Sequence, residues 1–274
     1  KVQKTVRRFP LLVYAGAIFI ITLIIGGSLS LRAYDDGINY QLLIFISILS
    51  LLSASHFAVT FTNWLTTLLI QPKLLPRMDF THGIDPEFRS IVIIPAMLTN
   101  DKEIDELAEN LEVYFLANRD KHLHFGLLTD FTDAAAETVP EDDALLQLAK
   151  QKIEDLNNKY ESPDNTLFYL FHRPRKCNAH DRMWMGYERK RGKLTELNAL
   201  LRGEGNQYFS MVVGKQEVFP DIKYVITIDA DTQLPRDSGR RIIATMAHPL
   251  NRAFYNEKKQ RVTEGYGILQ PRVA

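Results

Sequence analysis

The sequence contains little cysteine and no excess of charge. Cys177 is the single cysteine in 274 residues, so no disulfide can form within the chain, and no cysteine pair is present to hold structural zinc. Basic and acidic residues number 33 each, which gives a formal net charge of zero. A nucleic-acid-binding protein that acts through bulk positive charge is therefore disfavoured, and the lone thiol fits a reducing cytosol.

The motifs of several large enzyme classes are also missing. The chain has no G-x-G-x-x-G, no G-x-x-x-x-G-K-[ST] and no G-x-S-x-G. Dinucleotide-dependent dehydrogenases, P-loop enzymes and serine hydrolases therefore lose their main sequence support. No repeat of 20 to 50 residues and no low-complexity tract occurs, so a solenoid or a long disordered region is not expected.

Two long uncharged runs occupy the amino-terminal part of the chain. The first extends from Phe9 to Leu31, and the second from Ile38 to Pro72 contains no acidic residue and His56 as its single basic side chain. Roughly 20 apolar residues in a helix cross a bilayer, and a cleaved signal peptide has a shorter apolar centre. We predict two transmembrane helices and an interfacial helix over Asn63–Leu75, all within a membrane region of residues 1–78.

The charges that flank these runs predict an orientation in the membrane. Four basic residues precede the first run, whereas the connector Arg32–Gly37 carries one arginine and two aspartates. By the positive-inside rule the amino terminus and everything after Leu75 face the cytoplasm. The predicted protein is thus a multi-pass membrane protein, embedded in the lipid bilayer, with its soluble part in the cytoplasm.

Residues 79–274 alternate between short apolar runs and amphipathic stretches, the pattern of an α/β fold with a mainly parallel sheet flanked by helices. Because the chain begins without methionine and its last residues resemble an uncovered strand, we expect an incomplete domain of a longer protein. The predicted strands are Ser90–Ile94, Leu123–Leu128, Leu167–Phe171, Tyr224–Ile228 and a last one over Gln270–Ala274. One predicted helix begins after Asn100, and three others cover about Pro140–Tyr160, Leu194–Leu201 and Ser238–Ala247.

Acidic side chains follow one of these strands directly. Asp229 and Asp231 come after the predicted strand Tyr224–Ile228, and residues two apart on a strand point to the same face. Ligands of open α/β sheets bind beyond the carboxyl ends of the strands, and carboxylate oxygens suit hard divalent cations that also bind substrate phosphates. The pattern favours a metal and diphosphate site, although two solvated loop aspartates would look the same.

Two further groups lie at predicted strand or helix ends. Asp130 follows the second strand and could accept hydrogen bonds from a nucleobase or ribose, or simply form a turn. The basic run from Glu188 to Lys193 precedes a short helix, and Arg189 and Lys193 could bind phosphate oxygens there. We expect Lys190 to be a solvated surface residue. His122 and His124 alternate on a strand without a third ligand, which favours structural roles.

Four segments in order resemble the glycosyltransferase region of cyclic β-1,2-glucan synthases. They are Trp184-Met-Gly-Tyr-Glu-Arg-Lys-Arg-Gly-Lys193 with Leu197-Asn198, Ile228-Asp-Ala-Asp-Thr-Gln-Leu-Pro-Arg236, Met246-Ala-His-Pro-Leu-Asn251, and Glu264-Gly-Tyr-Gly-Ile-Leu-Gln-Pro-Arg272. The similarity runs from about Ser90 to the end of the chain, with the predicted membrane helices before it.

This resemblance implies a GT-A-like fold and an inverting transferase that adds glucose from UDP-glucose to a growing β-1,2-glucan acceptor with Mg²⁺ or Mn²⁺. It implies that Asp130 contacts the uridine, that Lys193 and Arg189 bind the diphosphate, and that Asp229 and Asp231 hold the metal, with Asp229 also near the donor. The general base is expected beyond Ala274, in the remaining part of the synthase, so this chain alone is expected to be inactive.

Two alternatives remain open from the sequence. One is a membrane-tethered fragment that binds nucleotide or assembles with a partner without catalysis. The other is a haloacid-dehalogenase-type phosphatase, because an apolar strand followed by Asp-x-Asp-x-Thr also describes its first motif, with Asp229 as nucleophile and Asp231 as general acid. That motif normally opens its domain, whereas here three predicted strand–helix units precede it.

Overall fold

The computed structural model describes residues 9–69, 74–160 and 166–271. The chain divides into two compact units, Lys1–Leu74 and Leu75–Ala274. The first holds two long helices and the second holds an α/β domain. The predicted boundary after residue 78 stays a prediction.

The first unit is a helical hairpin made of α1 (Pro10–Asp35) and α2 (Tyr40–Leu69), both long and apolar enough to cross a membrane. Small residues allow the helices to approach, since a Cβ on Gly26 would overlap the side chain of Leu51. Near the other end, the hydroxyl of Tyr14 donates to Asn63 Oδ1 at 2.8 Å. Helix α2 continues without a break from Asn63 to Leu69, where a separate interfacial helix was expected, and residues 70–73 lie outside the described residues.

The second unit contains a five-stranded sheet whose strand order in space is β6-β3-β2-β1-β7. Four of these strands pair in parallel, and β6 pairs antiparallel to β3 at one edge. The nine strands of the described chain are β1 (Ser90–Leu98), β2 (Leu123–Phe131), β3 (Phe168–His172), β4 (Lys176–Asn178), β5 (Met183–Met185), β6 (Met211–Val213), β7 (Tyr224–Thr227), β8 (Phe254–Asn256) and β9 (Arg261–Glu264).

The described part of this unit holds four α-helices, namely α3 (Asp101–Ala117), α4 (Asp142–Lys159), α5 (Arg189–Leu201) and α6 (Ser238–Ala247). Asn100 caps α3, since its side chain accepts a hydrogen bond from the backbone amide of Glu103 at 3.0 Å. The apolar stripe of α3, which includes Ile104 and Leu111, is buried as its three- and four-residue spacing predicts. Short 3₁₀ helices cover Pro86–Phe88, Asn206–Tyr208, Gln216–Asp221 and Pro249–Asn251.

Buried side chains cover both faces of the sheet. One cluster joins alternate residues of β1 and β2, such as Val92 and Phe125, to α3, α4 and α6. The other joins Ile91 and Phe171 to Leu197 of α5. Helices therefore flank a mostly parallel sheet, which confirms the predicted fold class.

Some short elements differ from the expectations. The edge strand β6 and the two hairpins β4–β5 and β8–β9 were not predicted, because strands of three or four residues carry little periodicity. Of the predicted last strand, Gln270 and Pro271 have no strand conformation, and residues 272–274 lie outside the described residues.

Candidate functional site

The candidate site lies where β1, β2 and β7 end. Met97 of β1 stands beside Asp130 of β2, and Ile93 of β1 stands beside Thr227 of β7, so the carboxyl ends of these strands share one edge of the sheet. Helix α5 begins at the same edge, five residues earlier than predicted. This early start places Arg189 and Lys190 in its first turn.

Asp130 is buried in an ion cluster at the base of this edge. Its side chain is 3% exposed, its Oδ1 lies 2.7 Å from the ammonium of Lys193, and its Oδ2 accepts from Arg173 at 2.8 Å. Lys193 also donates to the backbone carbonyl of Ala96 in β1. Burial lowers the pKa of Lys193, and the adjacent Asp130 carboxylate opposes that shift.

A second carboxylate also pairs with Arg173. Glu196 of α5 accepts from Arg173 at 2.6 Å and from Lys176 of β4 at 2.7 Å. Arg173 also donates to the carbonyl of Tyr187 at 3.2 Å. Buried charges persist in proteins when each one is paired and hydrogen-bonded, and this cluster joins β2, β3, β4 and α5 by such bonds.

A tight turn, residues 186–189, covers Asp130 and leads into α5. A Cβ on Gly186 would lie 2.6 Å from Asp130 Cγ, so the close approach requires glycine. Glu188 and Arg189 both take left-handed backbone angles, with φ of 52° and 50°. The preceding strand is fixed by two backbone hydrogen bonds of 2.9 Å between Ala134 and Trp184.

Asp229 and Asp231 are exposed at the end of β7. The strand stops at Thr227, two residues before Asp229, so the strand alternation used to predict their convergence does not extend to them. They lie in a turn in which the amide of Thr232 donates to the carbonyl of Asp229 at 2.9 Å. Tyr114 of α3 holds this turn by donating its hydroxyl to the carbonyl of Thr232 at 2.5 Å.

The first turn of α5 reaches two of the strand ends. Lys190 forms an ion pair with Asp229 Oδ1, and Arg189 donates to Asp133 Oδ2 at 2.6 Å. The structure thus brings Asp130, Arg189, Lys193 and Asp229 to one edge of the sheet, together with the turn that carries Asp231. Their roles in binding stay predictions.

The donor set at Asp229 and Asp231 fits a hard divalent cation that takes further ligands from a substrate. Among the described residues, no group of three or more histidine, cysteine or acidic side chains is placed to hold a metal. Mg²⁺ is commonly held by one or two carboxylates, with water and phosphate oxygens completing its octahedron. Two exposed carboxylates at a sheet edge match that pattern.

The sequence predicts cationic character from Arg173 and a solvated Lys190, but it indicates neither the pairing of Arg173 with Glu196 nor that of Lys190 with Asp229. Arg173 directly follows β3, and its position immediately after a buried strand was a usable signal. Glu196 lies in the helix that was predicted, yet nothing in its spacing indicates burial beside Arg173. Lys190 was expected to be solvated, and it is half exposed but paired with Asp229.

The two buried histidines of the sheet, His124 of β2 and His172 of β3, form hydrogen bonds within the protein. His124 Nδ1 bonds to the carbonyl of Thr166 at 2.9 Å, and His172 Nδ1 bonds to the hydroxyl of Thr129 at 2.9 Å. Desolvation lowers the pKa of His124 to about 4 and that of His172 to about 3, so both are neutral at pH 7.

No family model matches the chain. The cyclic beta-(1,2)-glucan synthase NdvB of Rhizobium meliloti (strain 1021) is 40% identical to it over 222 residues. The aligned region covers 81% of this chain and 8% of that protein, so the chain spans a small part of its relative. The chain is therefore related in sequence to the cyclic β-(1,2)-glucan synthases over most of its length, which confirms the resemblance that its motifs indicate.

Proposed function

We propose that this chain is the donor-binding part of a membrane-bound inverting glucosyltransferase that uses UDP-glucose to extend a β-1,2-glucan. The relative supports a role in glucan synthesis. The observation that carries the proposal is the meeting of three strand ends with the cationic start of α5, through the ion pairs Lys193–Asp130 and Lys190–Asp229.

In this proposal the exposed carboxylates of Asp229 and Asp231 hold Mg²⁺ or Mn²⁺, which would offset negative charge on the departing UDP. The cations at the start of α5, Arg189 and Lys193, stabilise the diphosphate. Fixed charges aimed at a departing anion commonly supply the largest share of such a rate enhancement. Asp130 lies below them, where the uridine end of the donor would bind.

The membrane helices suit this role, because they would hold at the membrane an enzyme that builds its polymer from a donor in the cytoplasm. We propose that α1 and α2 span the inner membrane and that the α/β unit faces the cytoplasm, as the flanking charges predict. Inversion requires a general base on the acceptor hydroxyl. We propose that the rest of the synthase supplies this base and the acceptor contacts.

The test is calorimetry of UDP-glucose binding to the purified chain in detergent. We expect binding with Mg²⁺ or Mn²⁺, little binding in EDTA, and loss of the metal dependence in Asp231→Asn. The matched control is Asp155→Asn, since Asp155 is an exposed aspartate on α4 whose side chain bonds to Gln151. Equal affinity for UDP-glucose in EDTA would refute the proposal.

A second measurement separates the transferase from the phosphatase alternative. A phosphatase that uses Asp229 as nucleophile would form an aspartyl phosphate, which a sugar transferase does not form. We expect mass spectrometry to find no phosphorylated Asp229 after incubation with aryl phosphates. A phosphorylated Asp229 would overturn the transferase proposal.

A further inference from the structure

Two cationic side chains near the start of α5, Lys193 and Lys190, differ greatly in how strongly their partners hold them. The side chain of Lys193 is 6% exposed, pairs with Asp130 at 2.7 Å and donates to the Ala96 carbonyl. Moving it would leave Asp130, which is equally buried, with one partner fewer. Breaking a buried ion pair is strongly destabilising, so Lys193 is fixed in place.

Lys190 is held far more weakly. Its side chain is 49% exposed and that of its partner Asp229 is 58% exposed. Exposed ion pairs stabilise proteins little, because water and salt screen them and two mobile side chains must be ordered. Lys190 also carries three ammonium donors on a flexible stem, and Asp229 is the one partner that it has among the described residues.

The partner of Lys190 is the carboxylate proposed to hold the metal. A lysine ammonium and a divalent cation on one carboxylate repel each other, so the two compete for Asp229. When Lys190 leaves Asp229 it remains in the first turn of α5, beside the helix amino terminus, where an anion is favoured. A diphosphate bound there would be the next acceptor within reach of its ammonium.

We propose that Lys190 is an exchangeable counter-ion of the donor site. It neutralises Asp229 when the donor is absent, and it moves to the diphosphate when a divalent cation and a nucleoside diphosphate bind together. This inference rests on the proposed function. It gives Lys190 two opposite effects: it weakens the binding of the metal alone and strengthens the binding of the nucleotide in the presence of the metal.

The test compares the whole chain with Lys190→Met, using Mn²⁺ alone and then UDP at saturating Mn²⁺. Free Mn²⁺ is measured by electron paramagnetic resonance, and UDP binding by calorimetry. We expect Lys190→Met to bind Mn²⁺ about two- to fivefold more tightly, the range that loss of an exposed ion pair implies, and to bind UDP roughly fivefold or more weakly. The control is Lys150→Met, because Lys150 pairs with Glu154 within α4 and should change neither value.

The outcomes separate this inference from the proposed function. If Asp231→Asn abolishes Mn²⁺ binding while Lys190→Met leaves Mn²⁺ affinity unchanged, the counter-ion role is overturned and the metal site stands. If Lys190→Met weakens both Mn²⁺ and UDP, the residue supports the site without exchanging, which also overturns the inference. If the wild-type chain binds no Mn²⁺, the proposed function and the inference fail together.

Discussion

Arg173 and Asp130 form a buried ion pair in which Nη2 of the guanidinium donates to Oδ2 of the carboxylate at 2.8 Å. The two side chains are 2% and 3% exposed, so water does not screen them. Arg173 follows β3 and Asp130 lies near the end of β2, and the same guanidinium binds Glu196 of α5. One arginine thus joins two strand ends to the helix that carries the basic residues.

Replacing this arginine should destabilise the α/β unit strongly. Arg173→Met leaves Asp130 and Glu196 buried with fewer partners, and we expect a loss of about 3–5 kcal/mol in the free energy of unfolding. Urea unfolding followed by fluorescence measures it. The comparison is Arg191→Met, whose exposed pair with Glu188 should contribute little to stability. Similar losses of unfolding free energy for the two variants would contradict the stabilising role of the buried ion cluster.

The turn over Asp130 should tolerate no side chain at Gly186. A methyl group there overlaps the carboxylate of Asp130, so Gly186→Ala must push either the turn or the carboxylate aside. We expect a loss of about 1–3 kcal/mol in unfolding free energy, as overpacking typically gives, together with weaker UDP binding. In Gly267→Ala the new methyl would lie 3.5 Å from Val262 Cγ2, an ordinary contact. This control should keep wild-type stability.

The buried histidines should make the fold sensitive to acid. Their pKa values of about 4 and about 3 lie below the ordinary value of 6.5, so below pH 6.5 the unfolded chain binds protons that the folded one does not. Stability is therefore complete above pH 6.5 and falls as the pH drops toward 4. We expect His124 to account for about 2 kcal/mol between pH 7 and pH 5.

His124→Gln should reduce this pH dependence, measured as the change in Tm between pH 7 and pH 5. The matched control is His180→Gln, at a side chain that is 95% exposed. An unchanged pH dependence in His124→Gln would show that this imidazole does not titrate on unfolding.

The single cysteine gives a direct measurement of membrane orientation. Cys177 is exposed in the α/β unit, so a membrane-impermeant maleimide should label it in lysed spheroplasts and not in intact ones. A Cys177→Ser, Asp36→Cys variant moves the thiol to the connector between α1 and α2 and should be labelled in intact spheroplasts. The reverse labelling pattern would show that the chain crosses the membrane in the orientation opposite to the predicted one.

Long, regular elements were predictable because many residues contribute to one pattern. Helix α6 has the predicted bounds Ser238–Ala247, and β2 begins at the predicted Leu123. Asp130 and Asp229 were expected at one sheet edge because each follows an apolar strand, and the structure places both there. Their roles in binding stay predictions. The local pattern of apolar and polar residues is enough to predict where such a strand lies and where it ends.

The partners of these residues were not predictable. The contact of Lys193 with Asp130 and of Lys190 with Asp229 depends on where α5 begins, and its first residues have left-handed angles that no glycine marks. The burial of Glu196 depends on the position of Arg173, 23 residues away in the chain. Such pairings follow from tertiary packing, which overrides local propensity.

The backbone bridge between Ala134 and Trp184 has a mechanical consequence. It fastens the segment after β2 to the strand that enters the turn over Asp130, and the Arg189–Asp133 pair ties the same two segments a second time. The two segments are therefore expected to move together whenever the turn over Asp130 opens. Slow amide hydrogen exchange at Ala134 and at Trp184 should accordingly rise and fall in step.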